Sequence, residues 1–305
     1  MKRNPIEHIL LKALIGSVQW KHIVDHDLER AVRLYWKYKT GSSLLLDSPQ
    51  TLNEKIQWLK LHANREQWAE LADKLRVKQI LEQQGYGCYL PATYGAWTRA
   101  ADIDYDSLPD SFVLKCNHDC ASTVIVKDKC LLDRRTVAKH LQHHLDTPYG
   151  YSMVEPHYLD IPRCIMAEEM IGTPDYFAQH SSLVDYKLWC FNGRAERCLV
   201  CYDRSFGNNH VMKDLYEVHP WRPAREGLVG GCDASPLPEP PAWSEMVALA
   251  EKLSVGHPQV RVDLYNIDGR IYFGELTFTA YGGTMPYFTT ELQAHFGRLV
   301  DLSLV

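Results

Sequence analysis

Apolar residues nowhere run uninterrupted for about 18 positions, so a membrane-spanning helix is not expected. The opening stretch MKRNPIEHILLKALIGSVQW sets an apolar run behind Lys2 and Arg3, but Glu7, His8 and Lys12 interrupt it and no small-residue cleavage motif follows. It reads as an amphipathic helix rather than an export signal, and stable membrane insertion is not expected. Basic tracts are missing too. Lysine and arginine are dispersed, the formal net charge is -5 and the pI is near 6.3, which leaves no broad footprint for nucleic acid. The nine cysteines are odd in number and lack the spacing of a small disulfide-stapled domain, so they point to free thiols and a cytoplasmic location. A GxxxxGK[ST] loop is absent, and Gly85-Tyr86-Gly87 lacks the third glycine of a dinucleotide fingerprint. No internal repeat or low-complexity tract occurs.

What is present is a 305-residue globular chain, 46% hydrophobic, with enough apolar content for two cores. Residues 1–46 read as helical, with Ala31, Leu34, Tyr35 and Tyr38 on one face and Gly41 as a stop. Another helix is expected from Ser48-Pro49 through Leu59, and a third over residues 68–84 before Gly85. From Tyr89 the texture turns to strands, including Phe112-Val113-Leu114 and Val124-Ile125-Val126, with a helix at 136–145. A buried strand at 163–167 ends at Glu168-Glu169, and residues 186–202 read as a hairpin about Asn192-Gly193. Residues 203–241, rich in Gly, Pro and Asn, are expected to be a long surface connection. Helices at 243–254 and 290–302 flank a last hairpin, and the element order implies an α+β fold.

That last hairpin, residues 260–283, carries the clearest chemistry. Val260, Val262, Leu264 and Ile267 form one apolar series, Asn266-Ile267-Asp268-Gly269 the turn, and Ile271, Phe273, Leu276 and Phe278 the second series. Alternation puts Arg261, Asp263 and Tyr265 on one face of the first strand and Glu275, Thr277 and Thr279 on one face of the second. If the faces coincide, Asp263 and Glu275 converge as oxygen donors for a hard cation; otherwise they are two solvated surface acids. Other charged residues also end or begin strands: Lys115, Glu168, Glu169 and Lys187. Several lysines with paired carboxylates are what a nucleoside triphosphate and Mg²⁺ need where a P-loop is lacking. Competing sites are weaker. Cys198 and Cys201, three apart on a strand, point to opposite faces; His140, His143 and His144 read as a solvated helix surface; Cys116 and His118 are too close in sequence on a strand to face each other as nucleophile and base.

These residues carry a resemblance. Leu52-Asn53-Glu54-Lys55-Ile56-Gln57-Trp58-Leu59, Phe112-Val113-Leu114-Lys115-Cys116-Asn117-His118, Asp185-Tyr186-Lys187-Leu188-Trp189-Cys190-Phe191-Asn192-Gly193 and Gly274-Glu275-Leu276-Thr277 are similar to segments of the TupA-like (teichuronopeptide biosynthesis) ATP-grasp family, in the same order. The resemblance spans roughly residues 50–300. It implies an ATP-grasp fold of two α+β subdomains enclosing the nucleotide: a helical amino-terminal segment at 1–70, a small subdomain at 71–165 and a large one with the metal-binding hairpin at 166–305. It implies that Lys78 and Lys115 bind the α and β phosphates, and that Glu168 with Glu169, Met170 and Ile171 faces the adenine. Asp175 would take the ribose, and Asp263, Glu275 and Thr277 would hold Mg²⁺. Arg261 would stabilise the acyl phosphate and Lys187 would contact phosphate or substrate.

The activity implied is ATP-dependent carboxylate–amine ligation through an acyl phosphate, releasing ADP, with small-molecule carboxylate and amine substrates and a surface polysaccharide or peptide conjugate as destination. Trp97, Trp221, Tyr281 and Tyr287 are candidates to stack on a saccharide. The family's glycine-rich lid corresponds here to Asp119-Cys120-Ala121-Ser122, which has no glycine, and the third metal position is Thr277 where asparagine is common. The segment before residue 50 is shorter and more helical than the usual preceding α/β domain. Phosphotransfer to a hydroxyl and a non-catalytic nucleotide-binding subunit stay open as alternatives.

Overall fold

The computed structural model describes residues 4–205 and 210–305; residues 1–3 of the expected first helix and 206–209 of the expected connection lie outside them. The amino-terminal stretch is not one helix but α1 (Pro5–Ile15), α2 (Val18–His26) and α3 (Leu28–Thr40). Local caps make the breaks: the Ser17 side chain accepts from the Trp20 amide, and Asp27 accepts from the Arg30 amide. Trp20, Val24, Ala31, Val32 and Tyr35 bury one face of these helices together. α4 (Leu52–His62) starts at a reciprocal capping box between Thr51 and Glu54.

The helix expected over residues 68–84 is likewise two, α5 (Arg65–Ala72) and α6 (Arg76–Gln83). Asp73 interrupts it, its Oδ1 accepting from the amides of Leu75 at 2.8 Å and Arg76 at 3.1 Å. This break lifts Lys74 out of a helical face and turns it toward the site described below.

Two antiparallel sheets follow. β1 (Thr93–Trp97), β2 (Phe112–Cys116), β3 (Val124–Val126) and β4 (Ile165–Glu168), with α7 (Arg134–Asp146) between β3 and β4, form a four-stranded sheet in the order β1-β4-β2-β3. The division expected between residues 165 and 166 falls inside β4, which pairs with both β1 and β2. After α8 (Pro174–Gln179) come β5 (Asp185–Phe191), β6 (Arg194–Ser205), β7 (His210–Glu217) and β8 (Arg222–Pro223), then α9 (Trp243–Ser254), β9 (Val260–Ile267), β10 (Arg270–Thr277) and α10 (Thr290–Leu299). The second sheet has six strands, ordered β10-β9-β5-β6-β7-β8. The supposed connection at 203–241 thus contains β7 and β8; the first pairs along β6, which supplies the partner that composition alone does not reveal.

One face of the six-stranded sheet is apolar. Leu188, Val200, Val262, Leu264 and Phe273 cluster with Met246, Leu249, Ala250 and Leu253 of α9 in the largest core. Burying such side chains stabilises the fold by roughly 1.5–3 kcal/mol each, which holds the sheet rigid and leaves its opposite face free for polar groups. Trp221, one of the aromatics singled out for a saccharide, belongs to this core, stacked on Tyr216 at 4.0 Å.

Candidate active site

The polar face of the six-stranded sheet brings the hairpin carboxylates together. Asp263 on β9 stands directly opposite Glu275 on β10 and directly opposite Lys187 on β5, so the three lie in one row. The next row holds Trp189, Arg261 and Thr277; the row on the other side holds Asp185, Tyr265 and Tyr272. Register here depends on a bulge. Residues 270–273 pair in step with 267–264, then the ladder skips Gly274 and resumes at Glu275↔Asp263. In regular pairing Gly274 would oppose Asp263, and Glu275 would turn into the apolar core. Glycine suits the position because a Cβ there would sit 3.0 Å from the Asp263 carbonyl oxygen.

Around Asp263 the bonds are dense. Arg261 grips it bidentately, Nε to Oδ1 at 2.6 Å and Nη2 to Oδ2 at 2.7 Å, while Lys187 pairs with Oδ2 from the other side. Arg261 Nη2 also donates to Glu275 Oε1 at 3.1 Å and to Thr277 Oγ1 at 3.0 Å, and the Thr277 hydroxyl donates to the same Glu275 oxygen at 3.1 Å. Asp185 lies 3.7 Å from Lys187 and 2.6 Å from Arg204. Burial would raise the Glu275 carboxyl, but Lys74, Arg261 and Lys187 more than offset it and hold it at about 2. For Lys187, burial works against the charge, yet Asp185 and Asp263 keep it protonated above its ordinary range. Glu275 and Lys187 are thus both held in their charged forms. Asp263, Glu275 and the Thr277 hydroxyl are hard oxygen donors, suited to a cation that brings phosphate oxygens with it. Among the described residues no group of three His, Cys, Asp or Glu side chains forms a fuller metal cage.

A second ion cluster sits in the four-stranded sheet. Glu168 at the end of β4 receives Lys78 Nζ on Oε2 at 2.6 Å and Lys115 Nζ on Oε1. Lys78 comes from α6 and Lys115 from β2, and Lys78 also donates to the Pro91 carbonyl at 3.1 Å. Burial of Glu168 would favour its neutral form, but Lys115 and Lys78 hold its carboxyl at about 2. Beyond it, the Glu169 amide is already engaged by the Ala92 carbonyl at 2.8 Å. The Glu169 carboxylate accepts from the Ala92 amide at 3.1 Å and from the Tyr272 hydroxyl at 3.5 Å, joining the two sheets. Met170 is half-buried, and Ile171 packs with Tyr176, Ile267 and Tyr272. Asp175 lies exposed in the first turn of α8 and bonds to neither ion cluster.

Sequence reasoning passed over Lys74 and Asp185. Lys74 Nζ donates to the Asp119 carbonyl at 2.5 Å and reaches within 3.9 Å of Glu275 Oε2, so it ties the loop between β2 and β3 to the carboxylate row. That glycine-free loop is clamped from within. Ser122 Oγ bonds Asp119, accepts from the Cys116 amide at 2.7 Å, and Asp119 Oδ2 is 2.7 Å from His144 Nδ1. The histidines of α7 therefore contribute one structural bond to an acid of this loop. Cys198 and Cys201 are both buried without forming a disulfide, Cys201 sharing a row with Asp185. The hint for Lys74 was the acid before it: Asp73 is a helix-capping residue inside an apparent helix.

The loop after β10 completes the wall. Tyr281, Gly282 and Gly283 are all left-handed, and the amino-terminal helices support them: Gln57 Nε2 donates to the carbonyls of Gly282 and Gly283, and Lys60 Nζ to that of Gly282 at 2.8 Å. Tyr287 follows, its ring 5.8 Å from that of Tyr281.

The TupA-like ATP-grasp family matches residues 54–300. No curated protein matches the chain. Among solved structures, an L-amino acid ligase from Bacillus licheniformis is 14% identical with a TM-score of 0.45, over 85% of this chain and 57% of that one. A D-alanine–D-alanine ligase from Bacillus anthracis is 15% identical with a TM-score of 0.41, over 84% and 69%. A D-cycloserine synthetase is 11% identical with a TM-score of 0.45, over 99% and 94%. The chain spans 57% of the length of the L-amino acid ligase.

Proposed function

This chain belongs to the TupA-like ATP-grasp family, and from that premise we propose that it is an ATP-dependent ligase joining a carboxylate to an amine. The observation that carries the reading is the row Lys187–Asp263–Glu275, flanked by Arg261 and Thr277 and facing Lys74. It pairs hard oxygen donors with cations in one rigid place, as phosphoryl transfer requires.

In this reading Lys78 and Lys115 leave Glu168 for the α and β phosphates, as point charges on flexible stems. Glu169, Met170 and Ile171 border the adenine, and Asp175 reaches the ribose. Asp263, Glu275 and Thr277 hold Mg²⁺, which when bound neutralises charge on the phosphate oxygens. Arg261 and Lys187, released from Asp263, turn to the γ phosphate and the acyl oxygen. A substrate carboxylate oxygen bonds to the γ phosphorus as its bond to the bridging oxygen breaks and ADP departs. The amine nitrogen then bonds to the acyl carbon, the carbon–oxygen bond to phosphate breaks, and the surplus ammonium proton passes to water. The loop at 117–122, tied to Glu275 through Lys74, closes the phosphate end. In this reading the product belongs to a surface polysaccharide or peptide conjugate and is made in the cytoplasm. No described helix is long and apolar enough to cross a membrane.

The test is incubation with ATP, Mg²⁺ and pooled amino acids and uronic acids, following ADP, AMP and product mass, with Glu275→Ala as control. ADP with a product lighter than its two substrates by one water is the expected result. A product carrying added phosphate would replace this reading with phosphotransfer. AMP would rule out an acyl phosphate, and ATP binding without turnover in the presence of the native partner would establish a non-catalytic subunit.

A further inference from the structure

Beside the carboxylate row is a cavity of about 370 Å³ between β7, residues 228–234 and Tyr287. That volume lies in the range of small-ligand sites, roughly 300–1,000 Å³. It is continuous with the active face. Lys213 stands opposite Cys201 on β6, and Cys201 stands opposite Asp185 on β5, so Lys213 ends the row that runs beside Lys187 and Asp263. The inner wall is Tyr287. Its phenol is raised by burial, and Arg261, Lys187 and Asp263 all lie close enough to act on it. The outer wall is pinned in place: the Val229 amide donates to the Tyr287 carbonyl at 2.9 Å, and Leu228 bridges to Phe288.

Two charges in this cavity are unmet. Lys213 Nζ lies 5.9 Å from the centre of the Tyr287 ring and pairs with no carboxylate among the described residues. Asp233 lines the same cavity, with no cation or hydrogen-bond donor on its side chain among the described residues. Among the described residues no ion pair joins the two. Gly230 and Gly231, at φ +85° and +64°, have open space where a Cβ would stand. They turn the chain without filling the cavity.

We infer that this cavity holds the amine substrate of the proposed ligation, and that this substrate is a zwitterionic amino acid whose carboxylate binds Lys213. One positive and one negative group in a single half-apolar cavity match a zwitterion; Asp233 disfavours a polyanion such as phosphate. Tyr287 lies against Lys213 on one side and near Arg261 on the other, so its ring directs the amine end of the amino acid toward the acyl carbon. The inference rests on the ligase reading for its direction, but the binding site is testable without turnover.

The probes are the proteinogenic L-amino acids and their primary amides. Each is titrated in the presence of Mg²⁺ and a non-hydrolysable ATP analogue and read by saturation-transfer NMR. At least one amino acid should bind, with its amide at least about tenfold weaker, the loss expected for one charge-assisted hydrogen bond. Lys213→Ala should weaken it by a similar factor, Lys213→Arg should restore it, and affinity for the ATP analogue should not change. A second readout is Cys232, which lines the cavity: its alkylation by iodoacetamide should slow when the amino acid is bound, while that of exposed Cys88 and Cys130 should not. The inference is overturned if no amino acid binds, if Lys213→Ala leaves binding unchanged, or if Cys232 is not protected. Binding that depends on Lys213 with no ADP release would keep this site and remove the ligase reading. Turnover with an unaltered KM in Lys213→Ala would do the reverse.

Discussion

The two ion clusters solve one electrostatic problem in opposite ways. In the four-stranded sheet a single acid, Glu168, sits between two lysines, all nearly dry, so the cluster carries a surplus positive charge. In the six-stranded sheet Asp185, Asp263 and Glu275 are interleaved with Lys187, Arg261 and Lys74, and the charges are close to balanced. A surplus cation suits phosphates that arrive bare. A balanced row suits phosphates that arrive with a metal: in the proposed reading the acids would exchange ammonium and guanidinium for the metal, and the freed cations would meet the phosphate oxygens. Without ligand, each cluster is oriented by its own ion pairs.

The sharpest way to break this comparison is to remove the central acid of each cluster. Asp263→Asn strands two buried cations and should cost about 3–5 kcal/mol in urea unfolding, with ADP release falling below detection. Glu168→Gln should cost less, because Lys78 keeps the Pro91 carbonyl at 3.1 Å and the glutamine amide oxygen still accepts from a lysine; a larger loss at Glu168 would reverse the proposed ranking.

Next in size is nucleotide affinity. Lys78→Met or Lys115→Met should each weaken binding of an ATP analogue by about ten- to a hundredfold, the range for one charged hydrogen bond. Lys187→Met should act mainly on turnover. Equal effects of all three on affinity would erase the distinction between the clusters.

Acid stability offers a third probe. Because the Glu168 carboxyl lies at about 2 in the folded chain against its ordinary 4.5, its stabilisation is whole above about pH 4.5 and vanishes as pH falls through about 2. It is on the order of 3 kcal/mol. The gap in urea midpoint between wild type and Glu168→Gln should therefore narrow as pH falls across that window; a gap independent of pH would show that Glu168 is not held charged by its lysines.

Smallest is Thr277→Asn, which adds a carbonyl donor at the third metal position. Half-saturating Mg²⁺ should fall by about two- to tenfold, the worth of one added polar contact. A rise would mean that the Thr277 hydroxyl's bond to Glu275 matters more than any contact to metal.

Much of the fold was legible because its signals are local. The Asn192-Gly193 turn and the alternation of residues 260–267 each lie within a few residues, whereas the helix expected from Ser48-Pro49 starts only at Leu52, after its cap at Thr51. The amino-terminal helices were run together because Ser17 and Asp27 are single polar residues in a periodic apolar pattern, and only their caps reveal them as breaks. β7 was hidden because its eight residues lie in a glycine- and proline-rich stretch and take their partner from β6. The bulge left a trace: the apolar series at Ile271 and Phe273 changes parity before Leu276 and Phe278, and Gly274 marks where.

By itself the sequence determined which strands present the charged residues Lys115, Glu168, Lys187, Arg261, Asp263 and Glu275, since side-chain period and turn type are properties of a few consecutive residues. It also carried the family likeness, in segments whose order survives without their contacts. Only the tertiary structure decided that Lys74 meets Glu275, that Lys187 meets Asp263, that the glycine-free loop is clamped by His144, and that Lys213 and Asp233 face one cavity. Those pairings join residues tens to hundreds of positions apart. They form because burying the apolar face of the sheet fixes where its polar face must lie.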